Sequence, residues 1–179
     1  MKINLLPYSE IDGIRTATDS EIMALFTRTQ EDELDKIVFY EGTVATKEQF
    51  LNIMKHGENL LYLVLADKET VGYAWLNRFE NRTARYHFCA FVEYWGDLNE
   101  IAKSIMNILI NMKARSGEYL FDLFTGYIPV WNQRAIKFTL KNGGKSAGII
   151  PNAIWNAVTN KSEDAEFIYY IREDNNVSE

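Results

Sequence analysis

Residues 131–153 read WNQRAIKFTLKNGGKSAGIIPNA. Asn132 is a helix-starting residue type, because its side-chain oxygen can accept a hydrogen bond from a backbone N–H of the first turn. The helix-like run that follows stops at Gly143-Gly144, where glycine can take the left-handed backbone that closes helices. Beyond the stop the chain resumes as an apolar strand with Pro151 inside it. The segment therefore predicts a helix over about 132–142 and a strand over about 146–156.

Working outward, the residues before it alternate between strand and helix signals. Residues 3–8 predict a short strand, and Asp19 and Ser20 offer caps for a first helix running to about residue 37, with Ile22, Leu25 and Phe26 on one face. Thr46 and Gln49 have the spacing of a reciprocal helix cap, Phe50, Ile53 and Met54 make an apolar face, and Gly57 offers a stop. From Leu60 the pattern changes: LLYLVLA, VGYAWLNRF and ARYHFCAFVEY are strand-like runs separated by the turns DKET and ENRT. Three strands joined this tightly predict an antiparallel meander. Ile101, Ile105, Ile108, Leu109 and Met112 then mark a long amphipathic helix, ended by Ser116-Gly117. Strands follow at about 119–128 and, after the quoted helix, at about 146–156 and 165–172. The expected fold is α/β: a mixed, mostly antiparallel sheet of about six to seven strands flanked by about four helices.

The composition narrows the function classes. At 179 residues and 47% hydrophobic the chain can bury one sizeable core, so residues 1–173 are expected to be one domain and 174–179 a polar tail. A net charge of −6 makes a nucleic-acid backbone or an anionic membrane a poor partner. Cys89 alone cannot close an intramolecular disulfide, and MKINLLPYSEID lacks the apolar run of a leader or membrane span, so a cytoplasmic location is expected. With two histidines and one cysteine, no motif supports a metal site. The four tryptophans lie on or beside predicted strands, where large rings are core, and they lack the basic neighbours of a base-stacking surface.

The element order, with Asn132, Ala135, Phe138 and Gly143 along the quoted helix, resembles the GNAT family, the Gcn5-related N-acetyltransferases. The resemblance covers nearly the whole chain and rests more on element order than on motif identity. It implies acetyl-CoA as cofactor, bound where two central parallel strands splay apart, here the strands at 84–94 and 119–128. It implies a small-molecule or protein amine as acceptor. It also implies that Asn132 contacts the pantetheine region and that its helix packs beside the thiol, with Ala135 and Phe138 along it. A local helix cap would use the same Asn132 oxygen, and both roles can coexist.

Two segments depart from the family pattern. Where many members carry a tyrosine that protonates the departing thiolate, this chain has Thr139, a weaker acid on a shorter arm. Where an aromatic usually follows the glycine, it has Gly144. The pyrophosphate segment, aligned on WGDLNEIAKSIM, conforms at Ala102 but places Asp97 and Glu100 where the family has a Gln or Arg and a Gly. These two acids instead have reciprocal-cap spacing, which would occupy the free amides and repel phosphates, with Gly96 as a shifted point of close approach.

Acetyl transfer to an amine needs a base, a donor to the thioester carbonyl and a proton for sulfur. On the strand at 84–94, His87, Cys89, Phe91 and Glu93 alternate onto one face. Glu93 is the expected base, the Val92 N–H the expected carbonyl donor, and Phe91 part of the cofactor wall. Glu93 could equally be a solvated carboxylate at a strand end, and His87 a packed cross-strand residue. Cys89 with His87 lacks a third orienting group and makes no nucleophile pair. The acidic runs EDELD at 31–35 and SEDAE at 162–166 read as solvated faces, although EDELD falls where the family's acceptor loop would lie. Two functions follow: an acetyl-CoA-dependent N-acetyltransferase, which is favoured, or an inactive, phage-type binding module. The second leaves a homodimer or an assembly partner open.

Overall fold

The computed structural model describes residues 1–172, so the tail expected at 174–179 lies outside the described residues. Along the chain come β1 (Ile3–Pro7), a small hairpin of β2 (Glu10–Ile11) and β3 (Ile14–Arg15), α1 (Asp19–Glu31), α2 (Asp35–Val38) and α3 (Lys47–Lys55). The meander is β4 (Leu60–Ala66), β5 (Glu69–Glu80) and β6 (Thr83–Ala90). A 3-10 helix (Val92–Asp97) leads into α4 (Leu98–Ile110), followed by β7 (Leu123–Pro129), α5 (Gln133–Lys141), β8 (Lys145–Asn156) and β9 (Lys161–Ile171).

Seven strands form one sheet in the order β1–β4–β5–β6–β7–β9–β8, antiparallel everywhere except between β6 and β7. This is the mixed, mostly antiparallel sheet that the sequence predicts. Tight turns explain the antiparallel part: Asp67 and Lys68, both at positive φ, close the β4–β5 hairpin. The parallel pair needs a crossover, which the 3-10 helix and α4 supply.

The helix ends are set by local chemistry. Thr18 with Glu21 and Thr46 with Gln49 each form a reciprocal cap, satisfying backbone donors at the starts of α1 and α3. The helix expected to run to residue 37 breaks at Asp32 and Glu33, where Glu33 adopts a φ of 58°. The break turns Leu34 into the core, 8% exposed, and α2 restarts behind it. The stop of α3 is His56 in extended conformation, not Gly57. The helix of α4 ends at Ile110 instead of Ser116, and residues 112–120 fold into a small antiparallel hairpin in which the Leu120 N–H donates to the Met112 carbonyl and the Ala114 N–H to the Glu118 carbonyl. The next strand accordingly starts at Leu123, not 119.

Alternation along the strands gives the sheet two cores. On one face α4 contributes Ile101, Ile105, Leu109 and Ile110 against Val64, Leu76, Ala84 and Phe124. On the other, α1 and α3 contribute Ile22, Phe26, Phe50 and Met54 against Leu61, Leu63, Tyr73 and Trp75. Each large side chain fully buried here contributes roughly 1.5–3 kcal/mol. The polar tip of Tyr73 is satisfied inside the second core by Thr29, hydroxyl to hydroxyl at 3.0 Å.

Candidate active site

β6 and β7 pair at Thr83↔Leu123, Ala84↔Phe124 and Arg85↔Thr125, and then diverge. The stretches 86–90 and 126–129 face each other without ladder bonds, and a cavity of about 470 Å³ fills the opening. It is lined from both faces of the sheet: Tyr86 and Phe88 toward α4, Arg85, His87 and Cys89 toward α1 and α3. The splayed strands expected at 84–94 and 119–128 are thus present as β6 and β7.

The quoted helix forms one wall. Asn132 caps α5, its Oδ1 accepting from the Ala135 N–H at 3.1 Å, and its side chain also lines the cavity with Ala135, Phe138 and Thr139. Gly143, at a φ of 95°, closes the helix, and Gly144 N–H bonds the Thr139 carbonyl at 3.0 Å. A Cβ at Gly144 would lie 2.7 Å from Thr139 Cγ2, which explains why no aromatic follows the glycine.

The start of α4 differs from the expected reciprocal cap. Asp97 makes no capping hydrogen bond, and the Glu100 carboxylate instead lies 3.6 Å from the Met1 amino group. The 3-10 helix runs straight into α4, so Asp97, at φ −102° and ψ 8°, lacks the extended backbone that aims a capping side chain at the first turn. The first-turn amides are therefore not held by that cap. Nearby, the Arg134 guanidinium lies 4.0 Å over the Trp95 ring, and both residues line the cavity with Leu98 and Ala102. Sequence reasoning missed Arg134, although a cation one residue before Ala135 was visible.

Four expected site residues stand apart from this cavity. The strand ends at Ala90, so the alternation does not carry on to Glu93. Glu93 is in the 3-10 helix, exposed, and paired with Arg28 Nη2 at 2.7 Å. The Val92 N–H is already donated to Asp32 Oδ2 at 2.8 Å. Phe91 is buried against Tyr73 on the α1 face, with the Arg28 guanidinium above its ring. Gly96 is exposed, with open space around it.

His87 is the cross-strand residue that the sequence allowed, stacked on Trp75 at 4.4 Å and 4°. Its Nε2 is 3.1 Å from Asn77 Oδ1, Asn77 Nδ2 donates to Asn59 Oδ1 at 3.2 Å, and Asn59 Nδ2 donates to the Ile53 carbonyl at 2.9 Å. A backbone carbonyl can only accept, so it fixes the direction of the whole chain. His87 Nε2 must donate, and Nδ1 is left as an acceptor with no protein partner among the described residues. Burial, with the nearby Arg85 and Arg78 charges, pushes the imidazole pKa down to about 3. The ring is neutral. Burial likewise pushes the Cys89 thiol up to about 12, which rules out a resting thiolate.

On the α4 face, Thr139 of α5 and Tyr170 of β9 both line the cavity. Burial pushes the Tyr170 phenol up to about 12, against the opposing effect of the Thr139 hydroxyl. Tyr170 was invisible in the sequence pattern because it reaches the site from a strand 31 positions beyond Thr139.

No family model matches the chain, and no curated protein matches it in sequence. Solved structures do. The chain is similar to spermidine N-acetyltransferase from Vibrio cholerae in complex with CoA and spermine, with a TM-score of 0.67 at 11% identity over 97% of each chain. It is similar to the ribosomal L7/L12 α-N-protein acetyltransferase RimL in its apo form, with a TM-score of 0.68 at 17% identity over 96% of each chain. No helix among the described residues is long and apolar enough to cross a membrane. The fold is the GNAT fold of the N-acetyltransferases.

Proposed function

We propose that the protein is an N-acetyltransferase that takes an acetyl group from acetyl-CoA and delivers it to an amine. The observation that carries this reading is the divergence of β6 from β7 after Arg85 and Thr125, with a cavity reaching both faces of the sheet. Structural neighbours with this fold are acetyltransferases of a polyamine and of a protein amino group, and the phage-type inactive reading finds no support among them.

Acetyl-CoA would supply the acetyl group already activated as a thioester. The cavity lining fits it in part: Arg134 would meet phosphate charge, and Asn132, Ala135, Phe138 and Ala102 line the approach, while Asp97 and Glu100 at the start of α4 keep phosphate away from that helix end. Toward α1 and α3, His87 Nδ1 accepts a hydrogen bond from the neutral amine and orients its lone pair. Its low basicity means that it positions the amine and does not store the proton. The amine nitrogen bonds the acetyl carbon, the carbon–sulfur bond breaks, and the amine's extra proton is balanced by protonation of sulfur. Tyr170 and Thr139 provide hydroxyl donors on that side.

Calorimetric titration with acetyl-CoA tests the reading, run beside Arg134→Ala. Micromolar affinity is expected, weakened about tenfold in the variant by loss of a charge-assisted contact. Absence of binding up to millimolar acetyl-CoA overturns it.

A further inference from the structure

The half of the cavity that faces α1 and α3 has an unusual balance of charge for an amine site. Its walls are apolar or aromatic, with Leu34, Phe39, Val44, Met54 and Trp75 prominent, and Phe39 stacks on Trp75 at 5.7 Å. Ionised side chains lining the whole cavity are Glu41, Arg85 and Arg134. Arg134 belongs to the cofactor side, over Trp95. The other half therefore holds one arginine and one exposed carboxylate.

Arg85 is a cation in want of an anion. Its guanidinium rests 4.9 Å from the Tyr127 ring centroid, and it makes no ion pair or hydrogen bond among the described residues. Other arginines near acids are paired: Arg15 with Glu10 and Asp19, Arg28 with Asp32 and Glu93, Arg82 and Arg172 with Asp122. The Arg85 charge reaches into the cavity: it adds to the burial that pushes His87 down, and opposes the burial and the Glu41 charge that push Tyr40 up. Arg85 and His87 are two residues apart on one face of β6, a separation of about 6–7 Å along the strand. That spacing brings a guanidinium and the amine-orienting Nδ1 within the span of one small molecule.

A polyamine would bring several positive charges against Arg85 with only Glu41 to offset them, an arrangement that desolvation in an apolar cavity makes unfavourable. A carboxylate beside the amine reverses the sign of that interaction. Resting on the acetyl-transfer reading, we infer that the acceptor is an α-amino acid with a large apolar or aromatic side chain: carboxylate on Arg85, amine at His87, side chain among Phe39, Val44 and Met54. A planar guanidinium presents the fork that a carboxylate matches in two hydrogen bonds.

The test uses the full chain and two separate measurements. In the first, L-phenylalanine, L-phenylalanine amide, phenethylamine and spermidine are compared as acceptors by thiol release from acetyl-CoA, for the native protein and for Arg85→Gln. L-phenylalanine is expected to exceed phenethylamine and the amide, and Arg85→Gln to raise its KM about 10- to 100-fold and erase that preference, the effect of leaving a buried charge unpaired. Spermidine as the best acceptor, or a preference unaltered by Arg85→Gln, overturns the inference. In the second, acetyl-CoA and L-phenylalanine are titrated separately by calorimetry. Acetyl-CoA binding without amino-acid binding or turnover overturns the inference and leaves acetyl transfer standing. Amino-acid binding that Arg85→Gln abolishes, with no acetyl-CoA binding, supports the carboxylate site while removing the transferase reading.

Discussion

Thr139 on α5 and Tyr170 on β9 line the same side of the cavity, and the Thr139 hydroxyl lowers the proton affinity of the phenol against the burial that raises it. Two hydroxyls from separate elements thus stand where sulfur would need its proton. Tyr170→Phe keeps the ring and removes the donor. We expect kcat to fall about 10- to 100-fold with KM for the amine little changed, as for loss of a group acting in the transition state. A full-rate Tyr170→Phe enzyme would mean that sulfur takes its proton from solvent. Because burial holds the phenol near 12, no limb of the rate profile below pH 10 is expected from Tyr170.

His87 should remain neutral across the physiological range. Its imidazole pKa is depressed in the folded state to about 3, while an unfolded histidine titrates near 6.5. Between those values the unfolded chain binds more protons than the folded one, so stability is full above about pH 6.5 and declines as pH falls toward 3. The loss by pH 5 is on the order of 1–2 kcal/mol. Urea unfolding at pH 7 and pH 5 checks this, since the difference should shrink in His87→Gln. An NMR titration in which the His87 ring protons shift with a midpoint near 6.5 would contradict the buried, neutral ring.

Glu93 is bound to Arg28 at the surface, outside the cavity. Glu93→Gln should leave kcat/KM within about twofold and cost no more than about 1 kcal/mol of stability, the range for an exposed pair. A loss of a hundredfold or more at saturating acetyl-CoA would restore Glu93 as the base.

Gly144 is a packing requirement. Gly144→Ala would press a methyl group to 2.7 Å from Thr139 Cγ2 and 3.0 Å from the Thr139 carbonyl. Destabilisation of about 1–3 kcal/mol is expected, read as a lower denaturant midpoint at unchanged slope. Unchanged stability would show that the end of α5 can shift to make room.

The parts of the fold legible in the sequence were those with local causes. LLYLVLA is a strand over the residues read, because a continuous apolar run bounded by turn residues suits a strand covered on both faces. Thr46 with Gln49 caps α3 as its spacing predicts, yet Asp97 with Glu100, at the same spacing, caps nothing. The difference lies upstream: Thr46 has extended backbone, whereas Asp97 already belongs to a helical turn. Asn132, Ala135, Phe138, Thr139 and Ala102 were legible as a group because one helix carries four of them to the cavity and α4 the fifth. Glu93 and Val92 were misplaced by continuing a period-two pattern past Ala90 into a 3-10 helix. The relay from His87 through Asn77 and Asn59 to the Ile53 carbonyl spans β6, β5, a loop and α3, and no sequence spacing encodes it.

The short pairing of β6 with β7 also divides the sheet into two panels. β1, β4, β5 and β6 form one, β7, β9 and β8 the other, and three residue pairs join them where β7 and β9 share seven. With so few backbone bonds across it, the seam is held chiefly by the core under α4, which packs on Val64 and Leu76 of one panel and on Phe124 and Ile168 of the other. Any molecule held between the panels acts as a suture, and its binding energy is added to the cohesion of the whole chain in proportion to the logarithm of its concentration over its dissociation constant. The cleft that lets two substrates meet is therefore also the line along which occupancy governs endurance to heat.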